Sequence, residues 1–246
     1  VRFNGRNPRA EAWLKQFSSD KVVNIGDMKA SVRVALDAGQ RAGQNPRQTA
    51  LNLVGRINRA TGRREGGLIG LTSEQSGYVE NARAELGDPK IAAKYLNRKR
   101  RDRRFDLTVK KSISTGRNLT QPQIDKIAGR YSDRLLVLRG ETIARTETLH
   151  ALNAGAEEGI NQAIDTGAIN ETMVTGIWHA TGDSRTRDTH ASMDGQTRTK
   201  GTPFNSPSGA RFLHPLDGSL GAPASEIINC RCYREFRIDY LKGFRK

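Results

Sequence analysis

Cysteine is nearly missing from this sequence: there are two, Cys230 and Cys232, with a single residue between them. A pair so close rarely bridges itself. A disulfide scaffold is excluded, and a reducing compartment such as a bacterial cytoplasm is expected. Aromatic residues make up only 6% of the chain and apolar residues 35%, both low for a compact single domain. Part of the chain is therefore expected to be extended, or buried only in an assembly. No apolar run approaches the roughly 20 residues of a membrane span, so no membrane partner is expected. The opening residues lack the charged–apolar–small order of a secretory signal. Starting at Val1 rather than Met, the sequence reads as a processed or partial product.

What the chain has in excess is positive charge, +15 overall, and it is unevenly placed. Residues 1–139 hold 29 Lys/Arg against 13 Asp/Glu, whereas residues 140–246 hold 12 against 13. The basic half is a candidate for contact with a polyanion; the remainder is close to neutral. The densest run is Arg98, Lys99, Arg100, Arg101, Arg103 and Arg104, interrupted only by Asp102, with Lys110 and Lys111 beyond it. Cations at this density suit the phosphates of double-stranded DNA, and such binding weakens steeply with salt. Only Tyr95 and Phe105 lie near the run, so backbone contact blind to sequence is expected rather than base stacking. The alternative is a solvated basic helix end, or a basic arm on an acidic protein surface.

Boundary signals divide the first half into short helices. Asp27 caps a stretch carrying Met28, Val32, Ala35 and Leu36. Asn45-Pro46 opens a helix through Ile57 that stops at Thr61-Gly62. Thr72-x-x-Gln75 reads as a capping box, and Asp88-Pro89 starts a further short helix. A second capping box, Thr120-x-x-Gln123, precedes a helix to about Leu138. After Gly140 another helix runs to about Asp165, with Gly167 as its cap. The short link implies an antiparallel helix pair. The period then changes to that of strands, over Met173–Trp178 and over Ile227–Ile238. The expected class is α+β: a mainly helical basic N-terminal half, then a module in which a helix pair packs on a small antiparallel sheet. The divisions are 1–119 (short helices and extended arm), 120–240 (the module) and 241–246 (tail).

The module concentrates its chemistry in a few motifs. They are A-R-T-E at 144–147, Trp178, D-S-R-T-R-D-T-H at 183–190, M-D-G-Q at 193–196, F-L-H-P-L-D-G at 212–218 and N-C-R-C at 229–232. In order and spacing this series resembles the Mu F-type minor head, or head morphogenesis, proteins of tailed bacteriophages, over about residues 120–240. Carried over residue by residue, the motif positions are Arg145, Glu147, Trp178, Asp183, Arg185, Arg187, His190, Asp194, Gly195 and Asn229. The resemblance implies a virion component inside the capsid near the portal, and in the host cytoplasm during assembly. It implies portal protein as partner, with major capsid or scaffolding protein as further candidates.

Three chemistries fit the polar cluster. A structural zinc would take His190, Cys230 and Cys232, with His214 or Asp183 as fourth ligand. Against it stands the short Cys-x-Cys spacing, which implies that the sulfurs point apart unless the chain is bulged; on that reading the cysteines are small buried hydrophobes. An enzymatic reading makes His190 a general base, Arg185 and Arg187 a phosphate clamp and Asp183 the orienting acid, as in a nuclease-like toxin module. No paired-carboxylate cluster, phosphate loop or nucleophile elbow supports it. The third reading is preferred: a structural network without cofactor or catalytic residue. In it Asp183 pairs with Arg187, His190 and Asn229 satisfy backbone groups, and Asp194-Gly195 forms a turn.

Overall fold

The computed structural model describes residues 30–62 and 64–242; the expected cap at Asp27, its neighbour Met28 and the tail from residue 243 lie outside them. The described residues divide into two compact units between Glu141 and Thr142. Helices dominate the first unit, beside one two-residue antiparallel pair, and the larger antiparallel sheet lies in the second, an α+β protein. Among the described residues no helix is long and apolar enough to cross a membrane.

In the first unit, residues 30–41 form α1. Helix α2 (Pro46–Val54) begins at Asn45, whose side chain accepts from the Gln48 N–H, with Pro46 at the first helical position. It ends at Gly55 rather than at Thr61-Gly62, because Gly55 takes a positive φ of 81°. Ile57 therefore leaves the helix and enters a two-residue strand, β1 (Arg56–Ile57), paired antiparallel with β2 (Arg64–Glu65). Helix α3 (Ser73–Gly87) carries both halves of its capping box, Gln75 N–H to Thr72 Oγ1 and Thr72 N–H to Gln75 Oε1, each at 3.1 Å. Short α4 (Ala93–Leu96), a 3₁₀ turn (Arg103–Phe105) and α5 (Asp106–Thr115) follow. Their apolar faces meet in a core built around Leu86, Tyr95, Val109, Ile127 and Tyr131.

The expected helix pair is instead a single helix, α6 (Gln121–Asp165), whose residues serve both units. Gly140 does not end it. That glycine has no positive φ; a Cβ built there would lie 2.4 Å from Val54 Cγ1 and 3.2 Å from the Ala50 carbonyl oxygen. Glycine at this position lets α2 approach α6, which is a packing role rather than a capping one.

In the second unit, β3 (Val174–His179) is the central strand of a three-stranded antiparallel sheet. It pairs with β4 (Thr197–Thr199) through Gly176↔Arg198 and with β7 (Tyr233–Ile238) through Gly176↔Phe236. Between β3 and β4 lies the one-turn helix α7 (Asp188–Ala191), and β5 (Phe204–Asn205) pairs with β6 (Arg211–Phe212). One-turn α8 (Ala224–Ile227) precedes β7. The expected strand from Ile227 thus begins only at Tyr233: Ile227 closes α8, and N-C-R-C is a turn and loop. Trp178, Met193, Phe204, Phe212, Leu216, Cys230 and Cys232 form the core of this unit. From α6, Glu157 reaches the sheet, pairing with Lys200 at 2.6 Å and with Arg234.

Candidate functional site

Trp178 organises the second unit from the middle of β3. It is fully buried, with its ring centroid 5.5 Å from each of His190, Phe204 and Phe212. Its carbonyl accepts the Gly195 N–H at 2.8 Å, and Asp194 Oδ1 accepts the Ala180 N–H at 2.8 Å. Gly195 sits at φ 74°, so M-D-G-Q is the turn that returns the chain from α7 to β4.

His190 is carried inward by α7 and is 1% exposed. Its Nδ1 lies 3.4 Å from Cys230 Sγ and 3.4 Å from Cys232 Sγ. On the other side of the ring, Nε2 is 2.8 Å from Glu226 Oε2, close in distance but off the line of a well-aligned hydrogen bond. Glu226 also accepts from Thr189 Oγ1 at 3.1 Å. Burial pushes the Glu226 carboxyl up, but hydrogen bonds from Ser208 and Thr189 and the adjacent imidazole outweigh it and leave the group below its usual range. The thiols titrate as a pair. The first proton leaves below the ordinary thiol value, from Cys230, chiefly because the Cys232 thiol donates to that sulfur, with the His190 ring beside it. The Cys232 proton is then held up by its bond to Cys230, by burial and by the neighbouring charge.

The sulfurs therefore converge, contrary to the expectation that they point apart. Residues i and i+2 already share a face of an extended chain, and Asn229 turns the loop inward just before them. Asn229 adopts φ 59°, a left-handed conformation that asparagine tolerates better than most residues. Its N–H donates to Thr146 Oγ1 at 3.0 Å. A second tie follows: Asn153 Nδ2 donates to the Cys232 carbonyl at 3.3 Å, and Asn153 Oδ1 accepts the Arg234 N–H at 3.2 Å. The A-R-T-E element thus works through Thr146, while Arg145 is half-buried and Glu147 exposed on either side of it.

Asp183 does not pair with Arg187. Its carboxylate receives a two-pronged contact from Arg231, the residue between the cysteines, and the Arg185 N–H at 3.0 Å. The Arg231 guanidinium holds the Asp183 carboxyl far below the usual range. Arg187 donates to the Ile228 carbonyl, and the Arg185 guanidinium is 3.4 Å from Asp183. His214 is not brought to the cysteines: its ring stacks on His150 at 5.9 Å and its Nδ1 is 2.9 Å from the Pro215 oxygen. Among the described residues one group of three has metal-ligand geometry, His190, Cys230 and Cys232, with all ligand atoms within 4.8 Å of one another. A cavity of ≈ 10 Å³ adjoins them, bordered also by Thr181 and Arg187.

In the first unit the basic run is folded, not extended. Arg98 grips Glu85 with two bonds of 2.7 and 2.8 Å, and Arg101 grips Asp106 with two of 2.9 Å. Arg104 meets buried Asp102 at 2.6 Å, and Arg134 approaches the same carboxylate at 3.4 Å. Lys99, Arg100, Arg103, Lys110 and Lys111 are exposed. Of the eight cations of the run, three are held by carboxylates, Arg104 while still largely exposed, and the other five face solvent.

Thr146, Glu226 and Arg231 were not singled out by sequence reasoning. Thr146 and Arg231 stood inside recognised motifs between residues of stronger apparent chemistry; nothing in the sequence pointed to Glu226. No curated protein and no solved structure matches the chain. The model of the family described as phage Mu protein F like protein matches residues 104–234. That stretch contains every element of the polar network from Thr146 to Arg234, and the chain belongs to this family, the Mu F-type head morphogenesis proteins.

Proposed function

We propose that the chain is a structural minor head protein of a tailed phage. In this reading it sits with the portal inside the capsid, supports head assembly and lies against packaged DNA. The family match over residues 104–234 carries the assignment to the phage head. Portal protein is the proposed partner, with major capsid or scaffolding protein as the other assembly contacts. The arrangement around His190 supports a structural over an enzymatic role. One ring nitrogen faces two thiols, the other faces Glu226, and the ring is buried. A general base needs a nitrogen within reach of a substrate proton.

DNA contact is assigned to Lys99, Arg100, Arg103, Lys110 and Lys111, since Arg98, Arg101 and Arg104 are engaged with carboxylates. If all five neutralise phosphates, log K against log salt falls with a slope of about −4.5. Fluorescence anisotropy with two unrelated duplexes tests this. Equal affinities with that slope are expected, and replacing the five by Gln should flatten the slope and cut affinity about 100-fold at low salt. Unchanged binding by the five-fold variant would remove the DNA assignment. Duplex cleavage that is lost in His190→Ala would replace the structural reading with the nuclease one.

A further inference from the structure

The cluster of His190, Cys230 and Cys232 has a geometry that packing alone does not require. Each sulfur is 3.4 Å from the same nitrogen, His190 Nδ1. A hydrogen-bonded trio would favour one sulfur, because a neutral imidazole offers one lone pair. In a tetrahedral site with Zn–S of about 2.3 Å and Zn–N of about 2.0 Å, the sulfur–nitrogen edge comes to about 3.5 Å. The opposite ring nitrogen faces the buried carboxylate of Glu226 at 2.8 Å. A carboxylate beside that nitrogen favours the tautomer with its proton on Nε2, which leaves Nδ1 free to ligate. The adjoining cavity of ≈ 10 Å³ has room for about one water.

We propose that His190 Nδ1, Cys230 Sγ and Cys232 Sγ bind one zinc ion, with a water from the small cavity as fourth ligand. Two thiolates and one imidazole form a soft donor set that selects zinc over magnesium or calcium. Both sulfurs bind as thiolates, so each proton still on them at the working pH is released on binding, and no electron is transferred. The ion joins α7 to the loop that leads into β7. It thereby closes the segment between β3 and β7, which holds only short strands and one-turn helices of its own. This inference stands apart from the portal and DNA proposals, since it concerns the second unit alone.

The test uses the full chain, reduced, stripped with a chelator and reloaded with Zn²⁺ or Co²⁺. Elemental analysis should give one zinc per chain. The cobalt form should show intense near-ultraviolet thiolate-to-metal bands and the visible bands of a tetrahedral ion. Zinc should raise the melting temperature. Glu226→Gln should keep the one-to-one stoichiometry while weakening affinity by about 10–100-fold in a chromophoric-chelator competition. Cys230→Ser and Cys232→Ser should each weaken the cobalt thiolate bands; if either fails to fold, the wild-type spectrum decides. Substoichiometric metal in the folded, reduced wild-type chain would overturn the proposal. So would one-to-one metal with no thiolate band, which would put the ion elsewhere.

Discussion

Asn229 and Asn153 do at the residue scale what a longer strand would do by ladder pairing. Asn229 bends the loop at φ 59°, and Asn153 holds the following backbone on both sides, at the Cys232 carbonyl and the Arg234 N–H. Because the bond to the Cys232 carbonyl is buried, Asn153→Ala should cost about 1–3 kcal/mol in a denaturant titration. A loss within a few tenths would mean that solvent reaches the loop. Asp102 is the corresponding residue of the first unit. Its carboxylate is 1% exposed, accepts from Arg104 and the Arg104 N–H, faces Arg134, and lies near the Tyr95 hydroxyl. The Arg104 hydrogen bonds lower its pKa to about 2, against about 3.9 in an unfolded chain. A carboxyl depressed in the folded state stabilises above its unfolded value and loses that contribution as pH falls through the folded one. Melting temperature should therefore drop between pH 4 and pH 2 more steeply in the wild type than in Asp102→Asn. Parallel curves would contradict the assignment.

At the scale of elements, local chemistry and tertiary packing decided different boundaries. The Asn45-Pro46 start and the Thr72–Gln75 box were legible because a cap is a local hydrogen bond between residues three apart. Thr72→Ala should cost about 1 kcal/mol, read from a thermal melt. Gly140 was not legible. In a sequence, a glycine between two amphipathic stretches looks the same whether it ends a helix or lets another helix approach. The distinction lies in Val54, 86 residues away, which is buried at 2%. Gly140→Ala makes the contrast measurable. Helix propensity alone favours alanine by about 1 kcal/mol, whereas forcing a methyl against Val54 costs about 1–3 kcal/mol. Net destabilisation is expected, relieved when Val54→Ala is added; a stabilised Gly140→Ala would show that α2 gives way. The N-C-R-C segment misled for a related reason. Its alternation suits a strand, but α8 and the positive φ of Asn229 keep Cys230-Arg231-Cys232 out of the ladder that begins at Tyr233.

At the scale of the whole molecule, the change of period and the order of motifs were the readable signals. The α+β class followed from the first and the family from the second. What could not be read was the division of labour among like residues. Arg98 and Lys99 are neighbours in the same run, yet one is held by Glu85 and Tyr131 and the other faces solvent. Likewise Asp183 had two arginines close by in sequence, Arg185 and Arg187, but the one that grips it, Arg231, comes from between the cysteines because the fold returns there. The central claim is that this chain is a head component, and one measurement addresses it most directly. Purified particles of the phage that encodes it should be analysed by quantitative mass spectrometry, with portal and major capsid subunits as internal standards. The account predicts the chain in particles at about one copy per portal subunit or fewer. Its absence from particles, at a sensitivity that detects the portal, would contradict the account.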